Sequence, residues 1–145
     1  ATLGDDLRKI SRLPLDATMK ERLAEARIGQ GRFRADVLRL WGGACAVTGT
    51  RILDAVRASH VKPWRWSDNE ERLSAHNGLA LVATLDALFD AGLISFSDSG
   101  DMLVSGRIGP PERKTLQLIG GKLVRRPSAE QAVFLAFHRT KVFRC

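Results

Sequence analysis

Apolar and polar positions alternate along this chain with more than one period. From Asp16, a side chain suited to capping a helix, the stretch from Ala17 to Arg27 carries helix formers and a narrow apolar stripe at Met19, Leu23 and Ala26. This predicts a mostly exposed helix. Gly29, Gln30 and Gly31 read as its end, and a second helix from about Phe33 to Trp41 puts Phe33, Val37, Leu40 and Trp41 on one face until Gly42 and Gly43 stop it. The spacing then changes. Cys45 to Gly49 reads as a short strand entering a turn, and Asp54 to Val61 alternates as a second strand that Pro63 ends.

A polar loop is expected from Trp64 through Glu71 to His76, Asn77 and Gly78, followed by the apolar run Leu79 to Val82. Thr84 to Ala91 reads as a helix buried through Leu85, Leu88 and Phe89, with Gly92 at its C-terminal cap. Leu93 to Phe96 and Met102 to Val104 flank a turn with Gly100 at the tight position, which predicts a hairpin. Pro110, Pro111, Gly120 and Gly121 punctuate a basic stretch without clear pattern. A last helix opens at Ser128, with Gln131 completing a capping box and Val133, Phe134, Phe137 and Val142 as its apolar face. The sequence shows no internal repeat and no low-complexity segment.

Length and composition narrow the class. At 145 residues, 44% of them hydrophobic, the chain suits one compact domain with at most a short appendage. No apolar run approaches the roughly 20 residues of a membrane helix, and the start does not read as a signal peptide. Cys45 and Cys145 are the only cysteines, too few for a disulfide framework or an all-cysteine zinc site, so a cytoplasmic setting is expected. The opening Ala1 reads as a processed product or a piece of a longer protein. The break near residue 29 suggests residues 1–28 as a helical arm or linker and 29–145 as the functional domain.

Charge adds a direction. Lys plus Arg 23 against Asp plus Glu 16 gives a net +7. Residues 1–50 carry +3, residues 51–100 carry −2 and residues 101–145 carry +6, so an acidic centre sits between basic ends. One reading is a basic surface for a phosphate backbone around a centre that holds a cation; the other is ordinary solvated charge.

His60, Asn77, Asp86 and Asp90 are the candidates for chemistry. Asp86 and Asp90 are four apart, so on a helix both carboxylates leave one face and can approach one cation of the kind that prefers oxygen ligands. His60 at a strand end could take a proton from water while the cation neutralises charge on a phosphate. Each residue also has a plainer reading: a structural histidine, a turn asparagine before glycine, a carboxylate complementing the helix dipole at Asp86. Asp90, near a helix C-terminus, is mildly unfavourable there and needs a reason.

Cys45-Ala-Val-Thr-Gly49, Ala58-Ser-His-Val-Lys-Pro-Trp64, His76-Asn-Gly-Leu-Ala-Leu81 and Leu85-Asp-Ala-Leu-Phe-Asp-Ala-Gly-Leu-Ile94 together resemble the HNH endonuclease family. The resemblance reaches upstream to Gly29-Gln-Gly-Arg-Phe-Arg34 and downstream to Phe137-His-Arg139 with Val142-Phe143, features of a bacterial, restriction-enzyme-like branch. It implies an α+β fold, a ββα-metal core with flanking helices and an additional β-hairpin, and hydrolysis of DNA phosphodiester bonds, as the cleavage domain of a restriction-type protein. By position it makes His60 the general base, Asn77 the residue fixing the loop opposite it, and Asp86 and Asp90 the metal ligands. Carboxylates stand where the family often has histidines, which favours Mg²⁺ or Mn²⁺ over Zn²⁺ or Ni²⁺.

Three positions depart from the pattern. Ser59 replaces a metal-binding Asp or His common just before the base, Thr84 stands where close relatives have His, and Cys45-Ala-Val-Thr48 keeps only the first cysteine of a paired CxxC motif, so a zinc knuckle is not expected. His76 is a further candidate participant. Arg57, Lys62 and Arg65 flank the base and are candidates for holding phosphates, with Trp64 and Trp66 for groove contact or base stacking, or for capping the core. Arg125 and Arg126, near Lys122, would add salt-sensitive phosphate affinity. His138 and Arg139 are expected to pack the last helix. The expected partner is double-stranded DNA, without a small-molecule cofactor; a double-strand break needs two cuts, which raises a homodimer as an expectation. Two other readings stay open, a DNA-binding module that has lost its chemistry and a toxin-type nuclease.

Overall fold

The computed structural model describes residues 2–145. Ten elements carry the fold: helices α1 (Leu3–Ser11) and α2 (Ala17–Leu40), strand β1 (Val56–His60), helix α3 (Asn69–Leu73), strand β2 (Gly78–Val82), helix α4 (Ala83–Asp90), strands β3 (Ile94–Phe96) and β4 (Met102–Val104), and helices α5 (Pro110–Thr115) and α6 (Ala129–Lys141). Short 3₁₀ turns occupy Leu53–Ala55, Trp64–Trp66 and Ala75–Asn77. The architecture is α+β, with small sheets among helices.

Strands β1 and β2 pair antiparallel, Val56 opposite Val82 and His60 opposite Gly78. Helix α4 follows β2 directly and packs across both strands, burying Leu85 and Phe89. This is the ββα unit the resemblance implies. Strands β3 and β4 form the expected hairpin, with Ile94 opposite Val104. The core gathers Phe33 and Val37 from α2 and Trp41 at its C-terminal cap with Val56, Leu79, Leu81, Phe89, Ile94, Phe96 and Leu135.

Helix α2 lies unusually close to β2. A Cβ at Gly78 would stand 2.3 Å from Val37 Cγ2 and 2.9 Å from Phe33 Cζ, so only glycine admits this approach. Trp41 Nε1 donates to the Gly78 carbonyl at 3.3 Å, and Arg34 donates to the carbonyls of Val56 and Leu53 at 2.7 and 3.0 Å. The sheet is thus fixed to α2 by packing and by hydrogen bonds.

Several expectations are corrected. The helices anticipated on either side of Gly29 to Gly31 are one continuous helix, α2, which crosses both glycines; each glycine costs a helix only about 1 kcal/mol relative to alanine, which the neighbouring turns outweigh. Cys45 to Gly49 is a turn rather than a strand. The buried Cys45 Sγ accepts from the backbone N–H groups of Val47 and Thr48, at 3.4 Å each, and Gly49 N–H returns to the Cys45 carbonyl at 3.0 Å. Helices α1, α3 and α5 arise where none was anticipated, the first two opened by capping boxes, Thr2 with Asp5 and Asp68 with Glu71. Helix α6 begins at its Ser128 cap as expected, but it buries Gln131, Leu135 and His138 while Val133 is 69% exposed. No helix among the described residues is long and apolar enough to cross a membrane.

Candidate active site

His60 ends β1 at the floor of an open cleft of about 1250 Å³, which Ser59, Asp86, Asp90, Arg57, Trp64, Arg65 and Trp66 also line. Its ring stacks on Phe33 of α2, centroids 3.8 Å apart and planes 4° from parallel, and meets Trp64 edge-on at 5.7 Å. Its Nε2 lies 2.9 Å from the Arg72 carbonyl in α3. A carbonyl only accepts, so Nε2 carries the proton and Nδ1 keeps the lone pair of the neutral ring. Burial lowers the His60 pKa, and the nearby Arg72 charge acts in the same direction against the hydrogen bond to the Arg72 carbonyl. The ring is therefore neutral at physiological pH, with one nitrogen available as a base.

Asn77 holds the other side of the loop. It is wholly buried. Its Oδ1 accepts from the Lys62 backbone N–H at 2.8 Å, and its Nδ2 donates to the Glu71 carbonyl at 3.1 Å. Val61 N–H also donates to the Asn77 carbonyl at 3.1 Å. One side chain thus closes the segment between β1 and β2 and sets α3, whose next carbonyl, at Arg72, orients His60.

Asp86 and Asp90 project from α4 into the cleft one helical turn apart. The buried Ser59 hydroxyl donates to Asp86 Oδ1, fixing that carboxylate across from β1. Asp90 is open to solvent at the rim, yet the protein packed about its carboxyl pushes its pKa up to about 6, and the negative charge of Asp86 adds to the shift. Both causes favour a cation beside the pair. Ser59 thus acts as a support for Asp86, a use the sequence did not reveal. Among the described residues no group of three His, Cys, Asp or Glu side chains is gathered closely enough to hold a metal ion. The donors here are two carboxylates, a set that suits Mg²⁺, which keeps several waters and substrate phosphate oxygens in its shell. Thr84 is exposed at the start of α4 and does not line the cleft. His76 lies in the turn before β2, with a buried Nδ1 that lacks a hydrogen-bond partner, and is likewise outside the lining.

The basic and aromatic candidates divide. Arg57 and Arg65 line the cleft with Trp64 and Trp66, which are 49% and 45% exposed and therefore do not cap the core. The Arg65 guanidinium lies over Trp66 at 4.5 Å, and that of Arg72 over Trp64 at 4.4 Å. Lys62 is engaged elsewhere, paired with Glu71 at 2.9 Å and set over Phe137 at 5.1 Å. Arg125 stacks on Trp41 at 4.4 Å and donates to the Leu40 carbonyl; neither it nor the exposed Arg126 lines the cleft.

A buried histidine braces α4. His138 of α6 stacks on Phe89 at 3.8 Å and 3°, its Nε2–H donating to the Phe89 carbonyl at 2.9 Å while Nδ1 accepts from the Ser95 hydroxyl at 2.8 Å. Burial, with the Arg139 charge adding to it against the hydrogen bond to the Phe89 carbonyl, drives its pKa from 6.5 down to about 4. The unfolded chain binds a proton at this histidine below about pH 6.5, where the folded protein does not. Its contribution to stability is therefore complete above that pH and is lost as the pH falls toward 4. We expect a loss of about 2–3 kcal/mol from this group over that window, removed by His138→Asn, in urea unfolding measured at stepped pH. Identical pH slopes in the two proteins would show that another group is responsible. Arg139 closes the same region by donating to the Phe96 carbonyl and to Asp98, both at 2.9 Å.

A protein-family model described as HNH endonuclease matches residues 45–97, from the Cys45 turn to the first residue after β3. No curated protein matches the chain.

Proposed function

This chain carries an HNH endonuclease segment across residues 45–97, and on that premise we propose that it cuts DNA by metal-assisted phosphodiester hydrolysis in the cleft between His60 and α4. One observation supports this most directly: a neutral histidine, its proton fixed on Nε2, shares a cleft with two carboxylates one turn apart on the helix of a ββα unit. Nδ1 of His60 takes a proton from a water molecule as its oxygen attacks phosphorus. The P–O bond to the leaving sugar oxygen breaks, leaving one phosphate monoester end and one hydroxyl end. Asp86, steadied by Ser59, and Asp90 are the residues that would hold one divalent ion, Mg²⁺ or Mn²⁺ in preference to Zn²⁺ or Ni²⁺. When bound, that ion neutralises charge on the phosphate and the leaving oxygen. Arg57 and Arg65 position the backbone from the β1 side, and Asn77 keeps the loop that orients the base.

In this reading residues 29–145 are the cutting domain of a restriction-type protein acting on duplex DNA in the cytoplasm, and residues 1–28 are an arm. Two cuts are needed for a double-strand break, which pairing of two copies would provide.

The test is cleavage of supercoiled plasmid with Mg²⁺, Mn²⁺, Ca²⁺, Ni²⁺ or EDTA, alongside Asp86→Asn. Nicking with Mg²⁺ or Mn²⁺, absent in EDTA and reduced at least about 100-fold in the variant, is the expected result. DNA retardation at low salt with no cleavage under any ion would instead identify a binding module that has lost its chemistry. Full activity of Asp86→Asn would remove Asp86 from the ion site.

A further inference from the structure

The cleft has a second wall that the HNH segment does not supply. Lys141, the last residue of α6, and Arg144, three positions beyond it, line the same cleft as Asp86 and Asp90. Backbone hydrogen bonds hold them there. The N–H groups of Val142 and Phe143 both donate to the His138 carbonyl, at 3.0 and 2.8 Å, and Arg144 N–H donates to the Gly92 carbonyl at 2.8 Å. Gly92, at φ +73°, follows α4 so closely beneath this tail that a Cβ on it would stand 2.2 Å from the Val142 carbonyl oxygen. The tail is therefore seated against the end of the helix that carries both carboxylates.

Among the described residues neither Lys141 nor Arg144 forms an ion pair, whereas Arg139 in the same helix is committed to Asp98. Both are exposed. A phosphate approaching Asp86 and Asp90 meets two negative charges; of the other cations lining the cleft, Arg27 is paired with Asp6 and Arg34 is bonded to the carbonyls of Val56 and Leu53, which leaves Arg57 and Arg65 on the β1 side to offset them. We propose that Lys141 and Arg144 form a second phosphate-binding wall, opposite Arg57 and Arg65, so that the DNA backbone is held from both sides of the carboxylate pair. The proposal rests on the endonuclease reading of this cleft and assigns it a substrate-binding surface outside residues 45–97. Both side chains act on phosphates, so they strengthen binding to any DNA sequence alike.

The test compares the full chain with Lys141→Gln/Arg144→Gln, which keeps both aliphatic stems, and with Arg107→Gln/Lys114→Gln, which removes the same charge from two exposed residues outside the cleft. Binding of a fluorescein-labelled duplex is followed by anisotropy with Ca²⁺ across a salt series, with melting curves to check folding. The slope of log K against log salt should be shallower by about 1 to 2 for the first variant, at about 0.9 for each phosphate that is no longer neutralised, and little changed for the second. Plasmid nicking at subsaturating enzyme should fall with it. If the wild type binds and cleaves while both variants keep its slope, or flatten it equally, the second wall is wrong and the endonuclease reading stands. If the wild type neither binds nor cleaves DNA, both readings fall together.

Discussion

His60→Ala is expected to lower the rate of strand scission at neutral pH by about 10²- to 10⁴-fold, the usual contribution of a positioned general base, while leaving affinity for DNA close to that of the wild type. The split follows from the geometry. The ring touches Phe33, Trp64 and the Arg72 carbonyl, and one nitrogen is left for chemistry, so its removal takes away proton transfer and no cationic hold on a phosphate. Single-turnover nicking with saturating enzyme measures the chemical step, and anisotropy with Ca²⁺ measures binding. The pH profile gives a second readout. The active form is the neutral ring, and burial lowers the His60 pKa. Activity should therefore hold as the pH falls past the ordinary histidine value near 6.5 and decline only below it. The part of that limb due to the histidine should be missing from whatever activity the variant retains, while the loss that follows protonation of Asp90, whose pKa is raised to about 6, stays in both proteins. A wild-type rate in His60→Ala, or a variant whose limb is unchanged, would transfer the base to another group.

Asn77→Ala should cost about 2–4 kcal/mol of folding stability and abolish cleavage with it. The asparagine is wholly enclosed, and its removal leaves the Lys62 N–H and the Glu71 carbonyl without the partner that satisfies them. Each buried group left unpaired costs about 1–3 kcal/mol. Activity depends on the same bonds, because Arg72, whose carbonyl fixes the His60 tautomer, follows Glu71 directly in α3. Urea unfolding measures the first effect. The second is separated from simple unfolding by assaying cleavage at a temperature where the variant is still folded by circular dichroism. A change below about 0.5 kcal/mol, the size typical of a neutral surface substitution, would mean that the loop is held by other interactions.

The ordered residues of the site were legible because they sit on elements that local pattern defines. The β1 strand ends at His60 near its expected place, α4 carries Asp86 and Asp90 on one face, and the turn before Gly78 presents Asn77. What fixes those residues was not legible. Phe33 beneath His60, Ser59 against Asp86 and His138 beneath the Phe89 carbonyl join elements distant in sequence. No periodicity within one element signals them. The N-terminal and loop helices do leave a signal: Thr2 with Asp5, and Asp68 with Glu71, have the spacing of capping boxes, but the segments after them are short and polar. Helix α6 lies where its cap predicts but turns a different face to the core. Gln131 satisfies the Ser128 N–H inside the structure and His138 is paired at both nitrogens, so two polar residues face inward where an apolar count placed Val133.

Helix α2 is one rod in geometry, but its stability is unevenly distributed. Its buried residues, Phe33 and Val37, lie beyond Gly29 and Gly31, while the turns before these glycines bury no residue and lean on α1 through the Arg27–Asp6 pair and the bond from Lys20 to the Ser11 carbonyl. Two glycines within one turn weaken the helix by about 2 kcal/mol relative to alanine, at the point where support from the sheet ends. The first half of the rod can thus unwind at a free energy well below that of global unfolding. The second half cannot open without lifting Phe33 from under His60.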